Sequence, residues 1–302
     1  MPVCAIALVV VLLFVMTSCG DDNGGESSTS SESGPSVDEF DAPFGDVDAY
    51  PVLASSEVVV GSNRFILGLL DGNDAPIGEP RIDVGIEFFD LSDGVARPSG
   101  KAQTDFVWSV EGERGVYITN ARFDHPGNWG AEVSIDGQGI SEAVRISFDV
   151  IPEPSSVALG TVPPASDTPT ADDVKRLSEI TTDPEPDPFF YRLSISEALE
   201  GDEPFVVVFA TPKFCTSAVC GPTLDIVESV ARDFPHVNFI HVEVYENLDD
   251  PSNLKPVPAV QEWGLPSEPW VFVVGSDDKV LAKYEGVVGA DELRKELSSL
   301  KS

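Results

Sequence analysis

The chain has 302 residues, 42% of them hydrophobic and 23% charged, which is enough apolar material for packed cores rather than wholesale disorder. Its 52 acidic residues against 18 basic ones leave a formal charge of -34, which repels phosphate and excludes non-specific binding to nucleic acid or to an anionic membrane face. No basic cluster offsets this charge, and the length predicts two domains of ordinary size.

Val3 to Met16 is an almost unbroken apolar run, shorter than the roughly 20 residues of a membrane span and close to the core of a signal peptide. It ends in Val15-Met16-Thr17-Ser18-Cys19-Gly20, which resembles a bacterial lipobox with Met16 in the usual place of Leu. The resemblance implies a signal peptide over 1–18, cleavage before Cys19, and lipidation of Cys19. The remainder is then expected in the cell envelope, on the extracytoplasmic face of the bacterial membrane; a plain signal peptide or short anchor is the alternative. Cys4 would leave with the signal and Cys19 would carry lipid, so Cys215 and Cys220 remain as a pair that can oxidise outside the cytoplasm. Residues 19–50 are rich in Gly, Ser, Asp and Glu and poor in large apolar side chains, and read as a disordered tether.

Over 51–152 the period is two. Ile82, Val84, Ile86 and Phe88 share one face, as do Val144, Ile146, Phe148 and Val150. Further strands are expected at 57–60, 65–70, 105–110, 116–123 and 131–135, separated by turns such as Asp71-Gly72-Asn73 and Asp136-Gly137. About seven strands without a helix predict an antiparallel β-sandwich. The stretch from Gly115-Val116-Tyr117 to Trp129-Gly130 resembles the late hairpin of immunoglobulin-like modules on extracytoplasmic proteins. His125 stands alone there and reads as a structural turn residue.

Residues 153–188 read as a linker, with Thr170 and Asp173 placed to start a short helix and alternating prolines at 184, 186 and 188 to stop it. From 189 onward the pattern turns to mixed helix and strand. Ser194 and Glu197 have capping-box spacing before a helix ending at Gly201, and Phe205–Ala210 is continuously apolar, as a strand buried on both faces would be. Leu224, Val227, Val230 and Phe234 follow at helical spacing, then come strands at 237–244, 270–274 and 280–284 and an amphipathic helix carrying Leu293, Leu297 and Leu300.

The strand Phe205–Ala210, the cysteine loop, Trp263-Gly264-Leu265, Glu268-Pro269 and the closing helix resemble the thioredoxin family over about 189–302. The fold class expected is therefore multidomain: an N-terminal antiparallel β-sandwich of immunoglobulin type followed by a C-terminal α/β thioredoxin-like domain. The resemblance implies thiol-disulfide exchange through Cys215 and Cys220, with Glu268 and Pro269 forming the substrate-docking edge, and no cofactor. The partners implied are protein thiols or disulfides outside the cytoplasm, with the membrane reached through the lipid anchor. Four residues separate the cysteines here against two in thioredoxins, and either sulfur can be read as the nucleophile, Cys215 by its nearness to the strand or Cys220 by the run Cys220-Gly221-Pro222.

Apart from family, Pro222 lacks an N–H and is tolerated only in a helix's first turn, which places the positive end of a helix beside the pair and favours thiolate. Three other readings compete. The first is a non-enzymatic surface adaptor with a structural disulfide. The second is a thiol peroxidase, suggested by Thr211-Pro212 ahead of Cys215. The third is a copper chaperone drawing on His236 or His241.

Overall fold

Eight strands occupy the first half of residues 35–300, the part of the chain that the computed structural model describes. They are β1 (Ala49–Leu53), β2 (Gly61–Asp71), β3 (Asp83–Asp90), β4 (Arg97–Gln103), β5 (Asp105–Val110), β6 (Arg114–Phe123), β7 (Gly127–Gly137) and β8 (Ile140–Val150). They pair antiparallel in two four-stranded sheets, β1-β2-β6-β5 and β4-β3-β7-β8. The expected alternation is what closes the sandwich: Ile82, Val84, Ile86 and Phe88 turn inward together with Ile146, Phe148 and Val150. Its centre is aromatic. Phe65 meets Phe88 edge-on at 5.2 Å, Phe88 meets Phe123 at 5.4 Å and Phe123 meets Trp129 at 4.9 Å between ring centroids.

Three local readings change. Residues 57–60 are not a strand; Val59 makes only an isolated bridge to Ile151. β1 and β4 carry no sequence signal, because Pro51 interrupts one and the other, Arg97-Pro98-Ser99-Gly100-Lys101, keeps its side chains in water and is held by its backbone pairing to β3. No helix forms at Thr170, whose N–H and hydroxyl both donate to Asp173 in a turn, leaving only a short 3-10 segment at Leu177–Glu179.

The second half contains helix α1 (Ile195–Glu200), strand β9 (Phe205–Ala210), helix α2 (Cys220–Ala231), strands β10 (Asn238–Glu243), β11 (Tyr245–Glu246) and β12 (Lys255–Pro256), helix α3 (Pro258–Glu262), strands β13 (Trp270–Val274) and β14 (Val280–Glu285), and helix α4 (Ala290–Ser298). Ser194 caps α1 through the expected box with Glu197. The main sheet runs β10-β9-β13-β14, and β9 with β10 is its one parallel pair; β11 and β12 form a separate two-stranded ladder. All six residues of β9 are buried, Val206 and Val208 packing on the side of α2 and α4, Val207 and Phe209 on the side of α1 and α3.

The fold class expected from sequence is corrected. Among the described residues the chain is mainly antiparallel β with four short helices, and residues 189–300 do not stand apart as a thioredoxin-like α/β domain; 35–300 form one compact unit. The physical reason lies in what joins the two halves.

Residues 153–188 are not a free linker. Val157 N–H donates to the Trp263 carbonyl, Gly160 and Thr161 exchange bonds with Val280, and Ala171 N–H donates to Tyr191. Ser166, Thr168 and Thr170 alternate inward, and their hydroxyls bond Glu262 and Trp263, Ile195, and Asp173 respectively. This strip is ordered by side-chain hydrogen bonds rather than by apolar burial, so its composition read as loop.

Candidate functional site

At the end of β9 the chain leaves the sheet at Thr211 and turns back through Cys215 into α2. Cys215 and Cys220 are joined by a disulfide with their Cα atoms 6.0 Å apart. The loop they close turns at Ala218, held at φ 58° in the left-handed region, so that its N–H reaches the Cys215 carbonyl at 3.4 Å. Pro222 falls in the first turn of α2, where no intrahelical N–H is needed. Cys220 is fully buried, whereas Cys215 is partly exposed. The Cys215 sulfur accepts the Cys220 N–H at 3.2 Å and lies 3.2 Å from the Ser217 hydroxyl.

Beneath this loop lies a buried polar group. His241 is bonded through Nδ1 to the Tyr191 hydroxyl at 2.7 Å and through Nε2 to the Ala210 carbonyl at 3.1 Å, and burial pushes its pKa below the usual value despite the nearby Glu243 carboxylate. Glu243 accepts from the Thr182 N–H and hydroxyl, and that hydroxyl in turn accepts from Lys213 N–H at 3.2 Å. The cysteine loop is thereby tied to β10 through Thr182. His236 is exposed, and among the described residues no group of three or more His, Cys, Asp or Glu is placed to hold a metal.

Glu268 and Pro269 are joined by a cis peptide bond. Pro269 is buried, and its carbonyl accepts from Gly286 N–H at 2.8 Å; Thr223 of α2 donates to the Gly286 carbonyl at 3.0 Å. Glu268 reaches a cavity of about 350 Å³ that it shares with Ser217 and Val219 of the cysteine loop and with Ile66 and Val116 of the sandwich. Three of the residues singled out by sequence, Cys215, Cys220 and Glu268, therefore lie on or next to one corner, with Pro269 set just behind it. Cys19 falls outside the described residues.

Sequence reasoning missed the seam between the sandwich and β14–α4. Arg64 donates from Nε and Nη2 to both oxygens of Glu292 at 2.9 Å, and from Nη2 to the Val287 carbonyl at 2.7 Å. Glu57 accepts from Ser155 and Ser156 and pairs with Lys283 at 3.4 Å. Burial works to raise the Glu57 pKa, but these hydrogen bonds and Lys283 hold it below the usual carboxylate range. Ser56 N–H donates to Glu285, 229 positions away. Lone charges with partners so distant leave no pattern in a sequence.

The described residues form an antiparallel β-sandwich joined to a second, mixed four-stranded sheet, with one disulfide at Cys215–Cys220. No family model matches the chain, and no curated protein matches it. Solved structures with a likeness include a DUF4426 family protein from Pseudomonas aeruginosa PAO1, 13% identical over 37% of this chain and 97% of that one, with a TM-score of 0.26. Another is the CARDB domain of a Pyrococcus furiosus protein, 15% identical over 36% and 92%, with a TM-score of 0.20. A third is the PKD domain of the human receptor SorCS2, 11% identical over 46% and 95%, with a TM-score of 0.18. At such scores these likenesses carry no argument about fold or function. The thioredoxin-like recognition is corrected on the architecture itself, mainly antiparallel β with four short helices among the described residues. Its reason was local: a buried strand, a cysteine turn and an X-Pro edge define a corner, not a family.

Proposed function

We propose that this chain is a non-enzymatic adaptor in which the Cys215–Cys220 disulfide is structural. The observation that carries the reading is the setting of the bridge: Cys220 is fully buried, and the loop it closes lines the seam with the sandwich through Ser217 and Val219. A bridge in that position fixes the surface on which the two halves meet. Exchange would require the loop to open that surface. The reading includes attachment through a lipidated Cys19 on the extracytoplasmic face of a bacterial membrane, with proteins rather than nucleic acid as partners, in keeping with the charge of -34.

A second reading, thiol-disulfide exchange with extracytoplasmic proteins, is favoured by one observation. The partly exposed Cys215 sulfur accepts the Cys220 N–H at the first turn of the 12-residue α2, where a thiolate would be stabilised. In that reading Cys215 attacks a substrate disulfide, a mixed disulfide forms as the substrate's other sulfur leaves as thiolate, and Cys220 then displaces the substrate. Equilibration with glutathione or dithiothreitol, read by alkylation and mass, separates the two. A potential below about -300 mV, with no insulin reduction, is expected of the structural bridge. A potential near -200 mV, about that of exchange-active pairs, together with insulin reduction lost in Cys215→Ser, would overturn it.

A further inference from the structure

The cavity between the sandwich and the cysteine loop has a composition that calls for a ligand. Its volume is about 350 Å³, and its walls are mostly apolar, with Ile66, Leu69 and Val116 from one side and Val219 and Val287 from the other. Arg114, at the start of β6, also lines it. The guanidinium of Arg114 takes part in no ion pair or hydrogen bond among the described residues, and its Nε is sealed from solvent without a partner. In a chain with 52 acids to 18 bases this is anomalous. Arg64, Arg81, Arg97, Arg145, Arg176 and Arg294 each pair with a carboxylate, and the other unpaired arginines, Arg122, Arg192 and Arg232, are exposed. Arg114 is half-buried on the cavity wall and carries a charge that no carboxylate among the described residues answers.

We infer that this cavity binds an apolar monocarboxylate, a fatty-acid-like molecule whose tail lies between Ile66, Val116 and Val219 and whose carboxylate pairs with Arg114. Guanidinium takes a carboxylate in a two-bonded fork, here through its two terminal nitrogens, since Nε is sealed off. The lining carboxyls do not compete for it. Glu285 is taken up by Ser56 N–H and the Ser267 hydroxyl, and burial biases Glu268 toward its neutral form. A cavity of this size takes a ligand of roughly a dozen to fifteen non-hydrogen atoms, which fits a medium-chain acid. The inference is independent of whether the disulfide is structural or exchanging, since neither sulfur contributes to the site.

The test is calorimetric titration of the full chain with sodium dodecanoate below its micelle concentration. Saturable binding of one molecule per chain is expected, and Arg114→Gln should weaken it roughly tenfold or more. The alcohol dodecanol should bind wild type and Arg114→Gln alike, because it lacks the charge. Val116→Trp, which fills the cavity from the sandwich wall, should abolish binding of both. Thermal melts establish that each variant is folded. No saturable binding by wild type, or equal affinity in folded Arg114→Gln, would overturn the proposal. So would dodecanoate binding that survives Val116→Trp.

Discussion

Arg64→Met is the most informative single change, because Arg64 is where the sandwich and the second half grip each other. Its guanidinium makes a two-bonded pair with Glu292, with the two side chains 13% and 35% exposed, and it also donates to the carbonyls of Val287 and Glu285 and lies 5.6 Å from the Tyr284 ring. A fully buried pair broken on one side costs about 3–5 kcal/mol, and an exposed pair at most about 1. Glu292 can rehydrate but the Val287 carbonyl belongs to a buried residue, which puts Arg64→Met between those limits at about 2–3 kcal/mol. Methionine keeps the stem's packing, so the loss reports the head group. Urea unfolding should show a lower midpoint, and the thermal midpoint should fall by roughly 5–10 °C. Glu292→Gln alone should cost less, and the double variant should show a coupling of about 1–2 kcal/mol. The reasoning is refuted if Arg64→Met shifts the thermal midpoint no more than Arg122→Met, a change at an exposed arginine.

Two further outcomes follow from named groups. Replacing both cysteines by serine opens a loop with a sequence separation of 5 and should lower stability by about 2 kcal/mol without changing the denaturant slope; equal midpoints for oxidised wild type and variant would contradict it. Burial, reinforced by Asp183, Asp187 and Asp225, pushes the Glu228 pKa up from 4.5 to about 7, and one of its oxygens is hidden without a partner. The folded state therefore holds a proton that the unfolded chain has released, so stability falls as pH rises from 4.5 through about 7. Glu228→Gln should remove that component, gaining on wild type at pH 8 relative to pH 5 in urea midpoints; an unchanged difference between the two pH values would exclude it.

The sandwich was legible wherever one face of a strand is buried, because burial writes alternation into residues such as Ile82, Val84, Ile86 and Phe88. β4 was illegible for the converse reason: its side chains face water, and only its backbone is used. In the second half the buried strand β9 and the capped start of α1 could be read locally, but the larger assignment drawn from them did not hold, since local order does not specify how halves join. The cystine corner was visible because cysteines are few. Arg64, Glu57 and Arg114 were not, because an isolated charge on a strand or in a loop looks the same whether it meets water, a carboxylate or an apolar cavity.

The strip from Ser155 to Thr170 has the composition of a protease-sensitive connector, rich in Pro, Ser and Thr, and yet its peptide groups are stitched to Trp263 and Val280, and Ser166 to Ser196. Proteolysis acts on locally opened chain, so this stretch can be cleaved only after it has peeled away. Nicking here would thus be a clock for local opening. A limited digest of the folded protein would report how often the halves part, not merely where the sequence looks loose.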